Sequence, residues 1–327
     1  ETLHLARVPN LLAMMALIHR QRAHLPNGRA LLYDDIAEAY LRSIDEFRGL
    51  ATPGADRPLP EKKRWLARVG LEMQRRRSDA DDDEDEGERA EILVSHDEVV
   101  SWIGAAMDDS GAPRENPTPE EFVDFLARRS GLLLPRGEGM FAFTHLSLQE
   151  YFAACAIEEA VTALAWAERG ETEIGLASDD FVRLGREATW RETFVFLFEL
   201  LADKKDWLKK LSDVVFGENF ENVSGEDAPT YGAATLLARL AANPHSGFSA
   251  DMRGTAAETC GRIEAARQDS IANTENHTPV VAQAILLVDA AITKGALGRF
   301  FSAIGAMRPK YLTLAGATGL TDLGPLE

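Results

Sequence analysis

The spacing of apolar residues in this chain changes between Phe141 and Cys155. Phe141 and Phe143 alternate with smaller residues, which is the two-residue period of a half-buried strand. From Leu148 to Cys155 the apolar residues recur at steps of three and four, the one-face spacing of an amphipathic helix. The pattern therefore predicts a strand that runs directly into a helix.

Polar residues at this junction predict how the helix begins. Ser147-Leu-Gln-Glu150 has the spacing of a capping box, in which the Ser hydroxyl accepts from the third helical N–H and the Glu reaches back to the cap. His145 precedes this box. Free N–H groups and the helix dipole both favour negative charge at a helix N-terminus, so His145 is a candidate anion ligand. The alternative is that His145 is a turn or packing residue.

The same periodicity predicts a mainly helical chain upstream of this junction. It indicates helices over residues 2–22, 30–41 and 61–77. Pro9 lies inside the first pattern and either starts or kinks that helix, since proline is tolerated only in a first turn. Arg29 precedes the second helix, where we expect it to be a surface residue that fixes the helix start.

Residues 91–145 predict two helices and a hairpin. Ser95-His-Asp-Glu98 and Thr118-Pro-Glu-Glu121 are helix-start patterns. Residues 132–134 and 140–143 are short apolar runs around a glycine-rich turn, which is typical of a hairpin. With the helix that follows, this order predicts a winged-helix domain.

Downstream of residue 157 the pattern is again helical. It predicts helical segments over residues 179–202, 207–216, 230–241, 250–266, 279–294 and 297–307, which form a helical, solenoid-like domain. The leucine spacing of residues 311–326 is similar to one leucine-rich repeat. The alternative for this last stretch is a frayed helix and tail.

Charge and composition argue against several kinds of binding partner and of cellular location. The formal net charge of −18 disfavours binding to nucleic acid or to an anionic membrane, and the candidate DNA-reading helix over residues 120–129 begins with two glutamates. Two cysteines give no disulfide framework, and no apolar run is long enough for a membrane span, so we expect a cytoplasmic protein. The acidic run near residues 78–90 predicts a disordered loop, since its spacing does not match a calcium-binding EF-hand.

The segment Phe143-Thr-His-Leu-Ser-Leu-Gln-Glu-Tyr-Phe-Ala-Ala154 resembles the F-x-H-x-S-[FL]-Q-E-[FY]-[FL]-A-A motif of the winged helix in NACHT-type STAND NTPases. This family includes NOD-like receptors and bacterial antiviral NACHT proteins. Residues 6–19 resemble its NPLLL segment, and the helix containing Trp190 resembles a weaker motif. Residues 25–33 resemble its LP..R..LY segment, which implies a nucleotide or interdomain contact as the alternative role of Arg29. The resemblance implies that His145 contacts the β-phosphate of ADP and that Pro9 packs near the adenine. It implies ADP/ATP as cofactors, shared with an NTPase core, and no Mg²⁺ held by this sequence.

The sequence contains no G-x-x-x-x-G-K-[ST] loop and no Ser–His–Asp or Cys–His grouping, so we expect no catalysis by this chain alone. We expect it to be a piece of an ATPase switch. The expected domains are a helical domain over 1–50, a winged helix over 51–165, a helical domain over 166–308, and the start of leucine-rich repeats over 309–327.

By the resemblance, the chain is the nucleotide-sensing, regulatory part of an immune-type signalling switch. The winged helix latches ADP in the inactive state, and the C-terminal region leads to a sensor. The implied partners are the NTPase core, further copies on activation and a protein trigger, without nucleic acid or membrane. Two alternatives stay open: a helical interaction scaffold without nucleotide function, and a DNA-binding regulator.

Overall fold

The computed structural model describes residues 26–41, 57–81, 92–112, 117–223 and 230–270, and the helical positions 12, 15–16 and 18–19. The chain divides into two compact units, Glu1–Ala160 and Val161–Glu327. Pro9, most of the first predicted helix, both helices predicted over 279–307 and the leucine-rich stretch lie outside the described residues.

The described part of the first unit is mostly helical, with one small antiparallel sheet of strand order β1-β3-β2. Its elements in chain order are α1 (Arg29–Leu41), α2 (Leu59–Asp81), β1 (Val94–Ser95), α3 (His96–Asp109), α4 (Pro119–Phe125), β2 (Leu133–Pro135), β3 (Met140–Phe143) and α5 (Leu146–Val161). A π-helical turn, Leu126–Ser130, follows α4. The predicted mainly helical, winged-helix class is confirmed.

Both helix-start patterns in this unit are confirmed as capping boxes. The Ser95 side chain accepts from the Glu98 N–H, and the Glu98 carboxylate accepts from the Ser95 N–H at 2.9 Å. Thr118 and Glu121 exchange the same two hydrogen bonds at the start of α4. Each box satisfies backbone donors that the helix itself leaves unpaired, so local sequence was enough to place these two starts.

The predicted hairpin is confirmed, with Leu133 opposite Phe143 and Pro135 opposite Phe141. A third strand, β1, pairs with the other edge of β3 and places Val94 opposite Phe141. The sequence did not predict β1, because a strand of two residues is too short to show a period.

Helix α2 is longer than predicted. It continues to Asp81, so the first residues of the acidic run, Ser78–Asp81, are helical instead of beginning a loop. Residues 82–91 lie outside the described part. An existing helix extends at little cost, since each added residue gains a hydrogen bond, and this outweighs the repulsion between a few exposed acids.

The described elements of the second unit are all helical apart from an isolated bridge between Glu171 and Ala177. They are α6 (Leu164–Arg169), α7 (Ser178–Leu184), α8 (Arg191–Leu200), α9 (Lys205–Phe216), α10 (Thr230–Ala242) and α11 (Ala250–Ser270), with 3₁₀ turns at Ala188–Trp190 and Glu218–Phe220. The helices predicted over 207–216, 230–241 and 250–266 are confirmed.

The predicted helical segment over 179–202 is two helices with a turn between them. Gly185 ends α7, and a Cβ added there would lie 2.7 Å from Val215 Cγ1, so α9 packs closely against this turn. The sequence pattern did not separate the two helices. Helix α7 buries only Phe181 and Leu184, whereas residues 193–199 of α8 are buried without a break, so α8 shows no one-face period.

Four phenylalanines form an aromatic group in the described part of this unit. Phe198 and Phe220 both contact Phe248, with ring centroids 5.7 and 5.9 Å apart, and Phe216 adjoins Phe198 and Phe220. None of the described helices is both long enough and apolar enough to cross a bilayer.

Candidate functional site at the start of α5

The corner between β3 and α5 is fixed by Thr144. Its N–H donates to the Leu132 carbonyl at 2.9 Å, and its hydroxyl donates to the Gly131 carbonyl. Gly131 has φ of 70°, a left-handed conformation that suits glycine and ends the π-helical turn. The corner is therefore held to the β2 side of the hairpin before the helix begins.

His145 caps α5 through its side chain. Its Nδ1 accepts from the Ser147 N–H at 3.1 Å, and its carbonyl accepts from the Leu148 N–H at 2.9 Å. The side chain satisfies a first-turn N–H that has no partner within the helix. His145 thus occupies the capping position that the sequence had assigned to Ser147.

The predicted capping box at Ser147 and Glu150 is wrong. The helix begins at Leu146, which places Ser147 inside the first turn, and the Ser147 hydroxyl has no hydrogen bond among the described residues. Glu150 does not reach back, since its carboxylate accepts from Arg77 Nη1 of α2 at 3.1 Å. Tertiary pairing has overridden a local sequence pattern.

The cap determines the protonation state of His145. A ring nitrogen that accepts a hydrogen bond carries no proton, so the neutral imidazole must carry its proton on Nε2. Burial lowers the pKa of His145, which also favours the neutral form. The ring is half-buried, and among the described residues its Nε2 has no hydrogen-bond partner. The site therefore offers a neutral N–H donor at a helix N-terminus, a suitable partner for an anionic oxygen.

The residues that follow in the motif face the first unit's own helices. Gln149 Nε2 donates to Gln74 Oε1 of α2 at 3.0 Å, with both residues buried. The Tyr151 hydroxyl donates to Asp34 Oδ1 of α1 at 2.7 Å, and Lys63 Nζ donates to the same oxygen at 2.6 Å. These contacts anchor α5 on both α1 and α2.

Cys155 lies one turn after Tyr151 and is not a candidate nucleophile. Burial raises the pKa of the Cys155 thiol to about 12, and burial also raises the pKa of Tyr151 well above its ordinary value. A thiol with so high a pKa carries almost no thiolate at neutral pH, and the thiolate is the reactive form.

Three acidic residues of α1 lie near Tyr151. Carboxylate oxygens of Asp34, Asp35 and Glu38 lie within 4.8 Å of one another. Asp34 accepts from Lys63 and Tyr151, so the Asp34 carboxylate is part of the anchor between α1 and α5. Arg29, the residue left open at the sequence level, begins α1.

The structure places one of the two predicted site residues. His145 stands at the strand-to-helix corner as predicted, whereas Pro9 lies outside the described residues. Sequence reasoning missed the residues that hold the site, Gln74 and Arg77. Their spacing in α2 was a usable signal: Gly70, Gln74 and Arg77 fall at steps of four and three, so they share one face of the helix.

The fold, the short sheet and the capped helix define the class of the first unit as a winged-helix domain. Residues 29–157 match the family model described as a winged helix-turn-helix domain C-terminal to NACHT. The chain thus carries the winged-helix part of a NACHT-type protein, which indicates a NACHT-associated regulatory role. No curated protein and no solved structure matches the chain.

Proposed function

We propose that this chain is the regulatory part of a NACHT-type NTPase switch, in which His145 helps to hold ADP in the inactive state. The observation that carries the proposal is the Nδ1 contact of His145 with the Ser147 N–H at 3.1 Å. It leaves Nε2 as a hydrogen-bond donor in a half-buried ring at the positive end of a helix.

In this proposal the NTPase core supplies the phosphate-binding loop and the magnesium site, because the sequence of this chain has neither. The nucleotide lies between that core and the start of α5, with Nε2–H donated to a phosphate oxygen. ADP then stabilises the closed arrangement by the free energy of this contact, and release of ADP permits opening and self-assembly. Pro9 is proposed to pack near the adenine.

The second unit is proposed to link the switch to a sensor. Its helices bury a continuous aromatic core, including Phe198 and Phe248, which gives it the rigidity to transmit a displacement. The proposed trigger is a protein, since the net charge of −18 disfavours nucleic acid and anionic membrane.

The alternative is an interaction scaffold that does not bind nucleotide. The helix-capping contact of His145 favours this alternative as a purely structural role, since it explains the residue without a ligand. The two functions differ in the role of Nε2–H: in the switch it donates to a phosphate oxygen of ADP, and in the scaffold it binds no ligand.

The experiment is the ADP affinity of this chain joined to its NACHT core, measured for the native protein and for His145→Asn. Asparagine is a good N-cap, so this variant keeps the helix start and removes the Nε2–H donor. The switch predicts tight ADP binding that weakens on substitution, on the order of tenfold for one lost hydrogen bond. Absence of ADP binding by the native protein would leave the scaffold.

A further inference from the structure

Helices α2 and α5 cross in close contact at Gly70. A Cβ at this position would lie 2.7 Å from Phe152 Cβ and 2.9 Å from the Ala153 backbone nitrogen. The backbones therefore approach as closely as a glycine permits. This crossing lies two turns after His145, so the position of α5 on α2 also determines the position of the cap.

Beyond Gly70, a row of buried polar side chains joins the two helices. We call this row the polar seam; it consists of Gln74, Arg77, Gln149 and Glu150. Gln149 Nε2 donates to Gln74 Oε1 at 3.0 Å, and Arg77 Nη1 donates to Glu150 Oε1 at 3.1 Å. The two side chains of the ion pair are only 10% and 7% exposed.

Stability alone gives little reason for a buried ion pair at this place. Removing two charges from water costs several kcal/mol per ion, and well-packed apolar residues of similar volume are often as stable. Buried charge pairs and amide pairs differ from apolar contacts in that their hydrogen bonds require one direction and one register. The seam therefore selects a single rotation of α5 about its axis.

We propose that Arg77 and Glu150, together with Gln74 and Gln149, are positioning residues that orient His145 toward its anionic ligand. Glu150 lies five residues after His145 on the same helix start, so a rotation or slide of α5 moves the ring. The proposal rests on the proposed function for the ligand itself, while the orientation of the ring is a property of this chain alone.

The test uses Arg77→Met with Glu150→Leu, which replaces the ion pair by apolar side chains of similar size. The matched control is Arg76→Met, the neighbouring arginine of α2, which pairs with Glu98 of α3 and not with α5. ADP affinity is measured in the protein joined to its NACHT core, and the ¹⁵N signals of the His145 ring are recorded in this chain.

The double variant is expected to unfold near the native temperature and to bind ADP about tenfold more weakly. Its His145 ring signals are expected to shift, while the tautomer is kept because the Ser147 N–H cap lies within α5 itself. Arg76→Met is expected to match the native protein in ADP affinity and in the ring signals. Native ADP affinity in the double variant, in a protein where His145→Asn weakens binding, would overturn the proposal.

Two further measurements keep this test separate from that of the proposed function. If His145→Asn leaves ADP affinity unchanged, the nucleotide role fails, and the ¹⁵N signals of the His145 ring then test positioning by themselves. Ring signals at their native positions in the double variant overturn it. If the double variant does not fold, Glu150→Gln replaces it, since its amide oxygen still accepts from Arg77. That variant is expected to lose thermal stability but to keep native ADP affinity, and a tenfold loss of affinity at native stability would contradict the proposal.

Discussion

At the scale of single residues, His145 combines two roles in one ring. Nδ1 caps α5 by accepting from the Ser147 N–H, and Nε2 is left as a donor. Both roles need the neutral imidazole. Burial lowers the pKa of His145, so the neutral form is favoured at neutral pH. The two roles separate by substitution, because alanine removes both and asparagine removes only the donor.

His145→Ala is expected to lower the free energy of unfolding of this chain by about 1 kcal/mol, the usual cost of losing an N-cap. His145→Asn is expected to stay close to the native value. Chemical denaturation of the first unit measures both. Equal losses in the two variants would show that the imidazole stabilises the corner by packing and not by capping.

The stability of this chain is expected to depend on pH through His145. Because the pKa of His145 is lowered by folding, the unfolded state binds its proton first, so stability rises with pH. The contribution of neutral His145 to the free energy of unfolding is fully present above the ordinary histidine pKa of about 6.5. It is lost as the pH falls through the lower pKa that His145 has in the folded state. Denaturation across this range checks the sign: the native protein is expected to lose more stability on acidification than His145→Asn does. An equal or smaller loss in the native protein would contradict it.

Gly70→Ala tests the close crossing of α2 and α5. The added methyl group would meet the backbone of Ala153 and the Cβ of Phe152, which can move only with the helix. We expect a loss of about 1–3 kcal/mol, as for overpacked cores, despite the better helix propensity of alanine. A gain in thermal stability would show that the helices are farther apart than described.

At the scale of elements, the starts of α3 and α5 carry similar sequence patterns and different caps. Ser95 forms the reciprocal box with Glu98, and the pKa of Glu98 is lowered to about 2, first by its hydrogen bond from Arg76 and then by the contacts with Ser95. Ser147 forms no such box, because Glu150 pairs with Arg77.

Ser95→Ala is therefore expected to cost about 1 kcal/mol of unfolding free energy, and Ser147→Ala close to none. The two substitutions have the same chemistry in the same sequence pattern, so each is the control for the other. Thermal unfolding measures the difference. A similar loss in both variants would show that Ser147 caps α5, as the sequence predicted.

At the scale of the whole molecule, local patterns predicted the elements and long-range contacts decided their details. The capping box at Ser95 and the helix cap at Thr118 could be predicted because their partners lie three residues apart. The cap of α5 could not, because Arg77 draws Glu150 away from a distance of 73 residues in the chain. His145 could be predicted as a site residue from its corner and its motif, but its tautomer required the structure.

The first unit coincides closely with the matched family segment, 29–157, and carries its own core. We expect residues 1–163 to unfold in one cooperative transition and to keep the ¹⁵N pattern of a capped His145. Calorimetry and ring signals of this fragment check the expectation. A broad transition with averaged ring signals would mean that the winged helix depends on the second unit.

The most direct test of the account is the ADP affinity of three proteins, each joined to the NACHT core: native, His145→Asn and Ser147→Ala. If Nε2–H of His145 holds ADP, Ser147→Ala binds ADP as the native protein does, since its backbone N–H still donates to Nδ1. His145→Asn is then expected to bind about tenfold more weakly at unchanged stability. Equal affinity in all three would contradict the account and leave His145 as a helix cap only.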